Sequence, residues 1–369
     1  MSTQPQNSIS SLAKTTYLLV SIVCIVMILV YSEEYIIPFI IALIVWFVIH
    51  ELRENLQQIP FIRKKFPIWL QSLIAFVIIN AVLLGVFELL LMSVSQLSES
   101  AGLYESNLLV AMEQLNKLVG MDVLSKLQAY TNDMDLGSLF SSTFDTVTLL
   151  VGDAFIILLY VIFILIEETI FHIKLKLIYP SDKEQKRITK LFEKMDYNLN
   201  KYLSLKTLVS LITGVLSYVV LLLLDIDAPF FWALLIFGLN YIPTIGSLIA
   251  TVFPAVFAIV QFGALAPFIY VLLSVGAIQV IVGNIIEPKI MGKTMNISSL
   301  VVILSLTIWG AIWGIMGMIL SVPITVMMII ICEEIPSLRF IAIMLSEEGT
   351  LAAQDIEEEK QIENQEATT

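Results

Sequence analysis

Along the chain, long apolar stretches alternate with short polar breaks. Apolar runs fall near 16–31, 35–50, 67–92, 146–166, 207–224, 228–261, 265–286 and 297–332. Roughly 20 apolar residues in helical conformation cross the hydrocarbon layer of a membrane. The pattern therefore predicts an all-α polytopic membrane protein. It has about six full spans, and two of its runs are of the wrong length for a simple span. The first two runs are separated only by Ser32, Glu33 and Glu34, so they form a tight pair.

The two long runs carry the most information. Residues 228–261 contain no charge and number about 34, too many for one crossing and too few for two with a turn. In their middle stands NYIPTIG, residues 240–246. Pro243 lacks an amide hydrogen and ends the helix before it, and Gly246 permits a sharp turn. Non-helical backbone at membrane depth survives only where protein or a wet cavity satisfies its polar groups. The run thus reads as a broken, re-entrant helical hairpin whose tip lines a polar pocket. Residues 297–332 repeat the logic, with WGAIWGIMG at 309–317 and Pro323 beyond. Gly310, Gly314 and Gly317 admit two readings: close packing between helices, or a second hairpin. Paired interrupted segments point to a transporter binding site.

Two further stretches have helical periodicity without being spans. Ile188, Leu191, Met195, Leu199 and Tyr202 form one apolar stripe, which predicts an amphipathic cytoplasmic helix within 167–204. The segment 93–145 has a similar stripe at Leu108, Met112, Leu115 and Val119. It is suited to the membrane surface, to a neighbouring subunit or to its own fold.

Composition agrees with the pattern: 58% of the residues are hydrophobic and only 14% are charged, which would leave a soluble protein with large apolar patches in water. The net charge of −12 says little about partners, because eight acidic groups against one lysine sit in the tail after Ser346. That tail, 346–369, reads as disordered, and nothing supports nucleic-acid binding. Cys24 and Cys332 lie in apolar runs and suggest neither a disulfide nor a metal site. The first run lacks a small-residue cleavage site and reads as a retained span.

Lysine and arginine in the loops set the orientation. Arg53, Arg63, Lys64 and Lys65 follow the second run, and eight basic residues lie between Lys174 and Lys201. Both regions are expected in the cytoplasm. The segment 93–145 holds Lys117 and Lys126 against seven acids and is expected outside. Both termini are then cytoplasmic. The expected divisions are a cytoplasmic N-terminus at 1–15, scaffold spans with the outer segment over 16–166, the cytoplasmic helix, and a transport region over 205–335.

Candidate chemistry is sparse. His50 and His172 fall at cytoplasmic span ends, and no metal-binding, nucleophile-elbow or phosphate-loop motif is present. The chain is expected not to be an enzyme and to need no cofactor. Run seven ends QVIVGNIIEPKIMGK, residues 279–293, with Gln279 and Asn284 polar in an apolar helix and Glu287 at its end. Intramembrane polar groups are costly and mark functional positions. Glu287 has two readings, a proton or cation site, or an interfacial carboxylate paired with Lys289 or Lys293. Glu88 and Asp153 read as headgroup-level residues more readily than as relays. The expected solute site is Asn240, Tyr241, Pro243, Thr244 and Gly246 on the first tip, Gln279 and Asn284 on run seven, and Thr307, Gly310 and Gly314 on the second.

LNYIPTIGSLIA, GNIIEPKIMGK and VVILSLTIWGAIWGIMGMILSVPI, in that order, resemble the autoinducer-2 exporter family of membrane proteins, as does IIPFIIALIVWFVI near the N-terminus. The resemblance covers about 13–345. It implies a secondary transporter in the inner (plasma) membrane that exports a small polar solute, with the quorum-sensing signal autoinducer-2 ranked first. It also implies a homo-oligomer, a pentamer in particular. A sodium (lithium)/proton antiporter, taking Na+ or H+ at Glu287, and a non-transporting membrane sensor or partner are the alternatives.

Overall fold

The computed structural model describes residues 11–119, 136–179, 181–291 and 296–347. The first ten residues, the middle of the outer segment, Lys293 and nearly all of the acidic tail lie outside the described residues. The helices, in order, are α1 (Ser11–Tyr31), α2 (Glu33–Gln57), α3 (Pro60–Lys65), α4 (Ile68–Glu99), α5 (Ala101–Val119), α6 (Leu136–Ile178) and α7 (Asp182–Leu223). There follow α8 (Pro229–Leu239), α9 (Ile245–Phe262), α10 (Leu265–Ile281), a π-helical turn (Val282–Ile286), α11 (Glu287–Met291), α12 (Ser299–Glu334) and α13 (Arg339–Leu345). Six of the described helices are long and apolar enough to cross a membrane. They turn large apolar side chains outward, as Trp69, Leu73, Val77 and Leu84 do on α4. Such a surface is stable against lipid and not against water.

Helices α2, α4 and α6 pack through Ala42, Ile49, Ala75 and Val161, small or branched residues that let the backbones approach. Their shared end is pinned by charge. Arg53 donates to Glu168 at 2.8 Å and to Ser72 at 3.0 Å, and the Trp46 indole donates to Glu168 at 2.9 Å. One buried arginine thus ties three helices.

Sequence periodicity separates the amphipathic stripe at 188–202 from the apolar run at 207–224, but the structure joins them in one helix. No proline or glycine interrupts 182–213, so nothing stops the helix at the point where its surroundings change from polar to apolar. At 42 residues α7 is about 63 Å long. Its first half packs Leu191, Met195 and Tyr202 against Val322, Val326, Ile329 and Ile330 of α12.

Each long apolar run folds back on itself. In the first, α8 and α9 lie side by side, with the Trp232 and Phe257 rings 4.9 Å apart and tilted by 39°. The two feet of this hairpin meet, since Gln261 at the end of α9 donates to Asp225 O at 2.7 Å and accepts from Asp227 N at 2.9 Å. These bonds hold a turn in which Asp225 and Ala228 both have positive φ. Helix α5 packs on the same feet. Its Tyr104 donates to Asp227 at 2.8 Å and meets Phe257 edge-on, and Asn107 donates to Gln261 O. Burial, and then the bond to Asp227, hold the Tyr104 phenol protonated well above its usual range.

The second run, α12, breaks at Trp313 (φ −127°, ψ 22°) and Gly314 (φ 56°, ψ −137°). Its halves then run antiparallel: Ser305 bonds to Thr325, and Gly310 faces Met318. Its feet are also together. Ser298 N donates to Leu345 O at 3.1 Å, and Glu333 and Glu334 are bound by Lys194 and Arg187 of α7. The first hairpin therefore has its feet at the C-terminal end of α7 and the second has its feet near the N-terminal end.

Both folds depend on one glycine in the returning arm. A Cβ on Gly246 would collide with the Leu239 carbonyl, and one on Gly317 with the Trp309 carbonyl. Gly246→Ala and Gly317→Ala are each expected to lower stability by about 3 kcal/mol, the upper range for overpacking. Gly85→Ala, with open space around it, should be neutral. Thermal unfolding of the purified variants in detergent checks this, and equal melting of all three would contradict it.

Candidate functional site

The first hairpin's tip, residues 240–244, is where polar groups collect. Pro243 ends α8's path, and the chain turns through Thr244 at φ 61°, ψ −56°. Ile245 N donates back to Pro243 O at 2.6 Å, which closes a γ-turn of the rare positive-φ kind. A threonine held there is strained, and such strain persists only where the surroundings over-determine it. Gly246, packed on the Leu239 carbonyl, supplies that constraint.

The tip docks on α7. Asn240 is buried, and its amide donates to Ser210 Oγ at 3.0 Å, leaving its own oxygen as an acceptor. Thr207 spends its hydroxyl proton on Leu203 O, so the Tyr241 hydroxyl at 2.6 Å is the donor to Thr207. One position before Thr207, Lys206 is buried and pairs with Glu287 at 2.5 Å. This corrects one sequence expectation. Glu287 is indeed salt-bridged, but to Lys206 on α7 and not to Lys289, and Lys293 lies outside the described residues. The lysine that folding brings to it is 81 positions away in the chain, which local reading cannot see.

Run seven completes the neighbourhood. Residues 282–286 form a π-helical turn ahead of Glu287, a distortion often found at functional sites. Asn284 sits in that turn and is exposed. Gln279 is buried, and its amide nitrogen has no hydrogen-bond partner. Helices α7 and α10 run antiparallel, because Asp225 after α7 meets Gln261 just before α10. Given the Lys206–Glu287 contact, Gln279 is roughly level with Thr213 and Gly214, about one helical turn from Ser210.

The second tip is elsewhere. Trp313 donates to Leu29 O of α1 at 3.0 Å and meets the Trp309 ring at a tilt. Thr307 is exposed and bonds to Ile303 O of its own helix. Gly310 packs on Met318, and Gly314 is the exposed break itself. No hydrogen bond among the described residues joins the two tips.

Sequence reading missed Lys206, Thr207 and Ser210. A signal was there. Lys206, Ser210, Thr213 and Ser217 recur every three or four positions, a polar stripe on an apolar helix, and all four are buried.

Comparison with known proteins supplies the rest. The profile of AI-2E family transporters matches residues 19–337. The AI-2 transport protein TqsA of Escherichia coli (strain K12) is 31% identical over 86% of this chain and 91% of that protein. A candidate transport protein of Haemophilus influenzae is 29% identical over the same shares. Another, of Borreliella burgdorferi, is 35% identical over 52% of each chain.

The Lys206–Glu287 pair yields a prediction. Removing one partner of a buried pair strands the other charge, at a cost of about 3 kcal/mol, while removing both restores most of it. Lys206→Met alone should therefore melt well below the wild type, and Lys206→Met with Glu287→Gln should recover. A double variant no better than the single one would mean that the pair is not coupled.

Proposed function

Because this chain belongs to the AI-2E family of transporters, we propose that it works as a secondary transporter exporting a small polar solute, with autoinducer-2 as the first candidate. The observation that carries this reading is the broken tip at 240–244, set against a polar stripe on an otherwise apolar helix. Backbone turned at membrane depth needs a wet or polar cavity, and transporters place their solute at such breaks. In this reading both hairpins re-enter from opposite faces, with the feet of the first outside and those of the second in the cytoplasm. The distribution of lysine and arginine supports cytoplasmic termini in the plasma (inner) membrane. A homo-oligomer, a pentamer in particular, would give the scaffold helices α1–α4 a partner. Autoinducer-2 itself enters through the likeness to TqsA, whose name states that it transports that molecule.

A second reading has a specific observation behind it. A titratable Lys206–Glu287 pair beside the tip is a chemically suitable place to exchange a proton for sodium. Export and antiport are separated by flux through sealed vesicles holding the purified protein, with autoinducer-2 on one side and an imposed sodium or proton gradient. Export predicts signal flux that falls about tenfold or more in Asn240→Ala and falls in Pro243→Ala, with insertion intact. Antiport predicts sodium-dependent proton movement without signal flux, together with a pH profile that shifts in Glu287→Gln.

A further inference from the structure

Gln279 is one of three buried side chains in this part of the fold with an unpartnered polar atom, the others being Ser217 and Trp232, and it is the amide among them. It is 8% exposed, and its amide nitrogen, wholly out of contact with solvent, donates to nothing. A buried donor without a partner costs about 1–3 kcal/mol. Buried polar side chains in folded proteins are nearly always satisfied, so an orphan is a place where something is expected to bind. The rest of the neighbourhood says what. Asn240 gives one amide N–H to Ser210, which leaves its oxygen as an acceptor, with the second N–H, on that side. The nearby charges, Lys206 and Glu287, neutralise each other. Helix register offsets the orphan donor from the free acceptor by about one turn, roughly 5 Å, along the axis of α7.

We infer that Gln279 selects the solute. It donates its amide N–H to an acceptor oxygen of an uncharged molecule whose hydroxyl, a few ångströms away, donates to Asn240 Oδ1. The inference rests on the transport reading of the hairpin tip and goes beyond it by fixing charge and bonding pattern. An anion would find no free cation there among the described residues. A cation would have to break the Lys206–Glu287 pair. A neutral solute carrying a hydroxyl beside an ether or carbonyl oxygen fits both groups without disturbing the pair.

The full-length protein in proteoliposomes tests this, using autoinducer-2, a neutral pentitol and the same pentitol as its phosphate ester. The wild type should carry neutral solute and reject the phosphate ester by at least tenfold. Gln279→Leu removes the donor with little change of shape. It should raise KM about tenfold while leaving the maximal rate within about twofold. It should also melt no lower than the wild type, because it deletes an unsatisfied buried group. A structural role for Gln279 would instead lower the melting temperature and the rate together. Gln279→Glu keeps the shape and replaces the donor with an acceptor. It should lose neutral solute as far as Gln279→Leu does. Neutral flux with an unchanged KM in Gln279→Leu overturns the role of Gln279 and leaves the transport reading standing. Equal transport of the phosphate ester overturns the charge rule. No flux of any of the three solutes by the wild type, with the protein folded, overturns the transport reading and this inference together.

Discussion

Every polar backbone group inside an apolar slab must find a partner within the protein. A helix meets that demand without help, whereas a turn does not. The fold therefore depends on how two turns are made inside long apolar runs. In both, a glycine of the returning arm lies directly on a carbonyl of the outgoing one, Gly246 on Leu239 and Gly317 on Trp309. Close approach lets each arm shield the other's exposed groups, and only a residue without Cβ permits it. The first turn adds a γ-turn at Thr244, and the second places Gly314 in a conformation that side chains resist.

Charge is handled as economically as backbone. The described buried cations sit at helix ends or beside breaks and are matched. Arg53 is shared between Glu168 and Ser72, and Lys206 meets Glu287. Lys194, half-buried, meets the buried Glu333. Such pairs contribute modest net stability, since desolvation offsets most of the attraction, but they penalise any arrangement that separates them. They fix which helices are neighbours more than how firmly those helices hold. Around the first tip, the charged side chains Lys206 and Glu287 are matched with each other, while the buried Gln279 amide nitrogen, Ser217 Oγ and Trp232 Nε1 lack a partner.

Much of the architecture was legible in the sequence because its causes are local. Run lengths, Pro243, Gly246 and the tryptophan–glycine break announced themselves as departures from a plain span. The positions of Asn240, Tyr241 and Gln279 followed from polarity in apolar surroundings. What escaped was relational. Lys206, just before an apolar run, drew no reading at all, and Glu287 had Lys289 and Lys293 as its nearest lysines in sequence. Their pairing depends on an antiparallel register that no short window contains. The continuity of α7 was missed for the opposite reason. Periodicity reports surroundings, and this helix passes from a polar to an apolar medium without any change in its backbone. The π-helical turn at 282–286 had no sequence marker beyond Gly283.

That continuity has a mechanical consequence. α7 is a single stiff strut, with the feet of one hairpin fastened at its far end by the turn after Leu224 and those of the other gripped by Arg187 and Lys194 near its start. Helices resist axial stretch far more than they resist rigid displacement. The distance between the two sets of feet is consequently fixed, and the hairpins are yoked as the pans of a balance are by its beam. The two hairpins are thereby held at a separation that the helix itself sets.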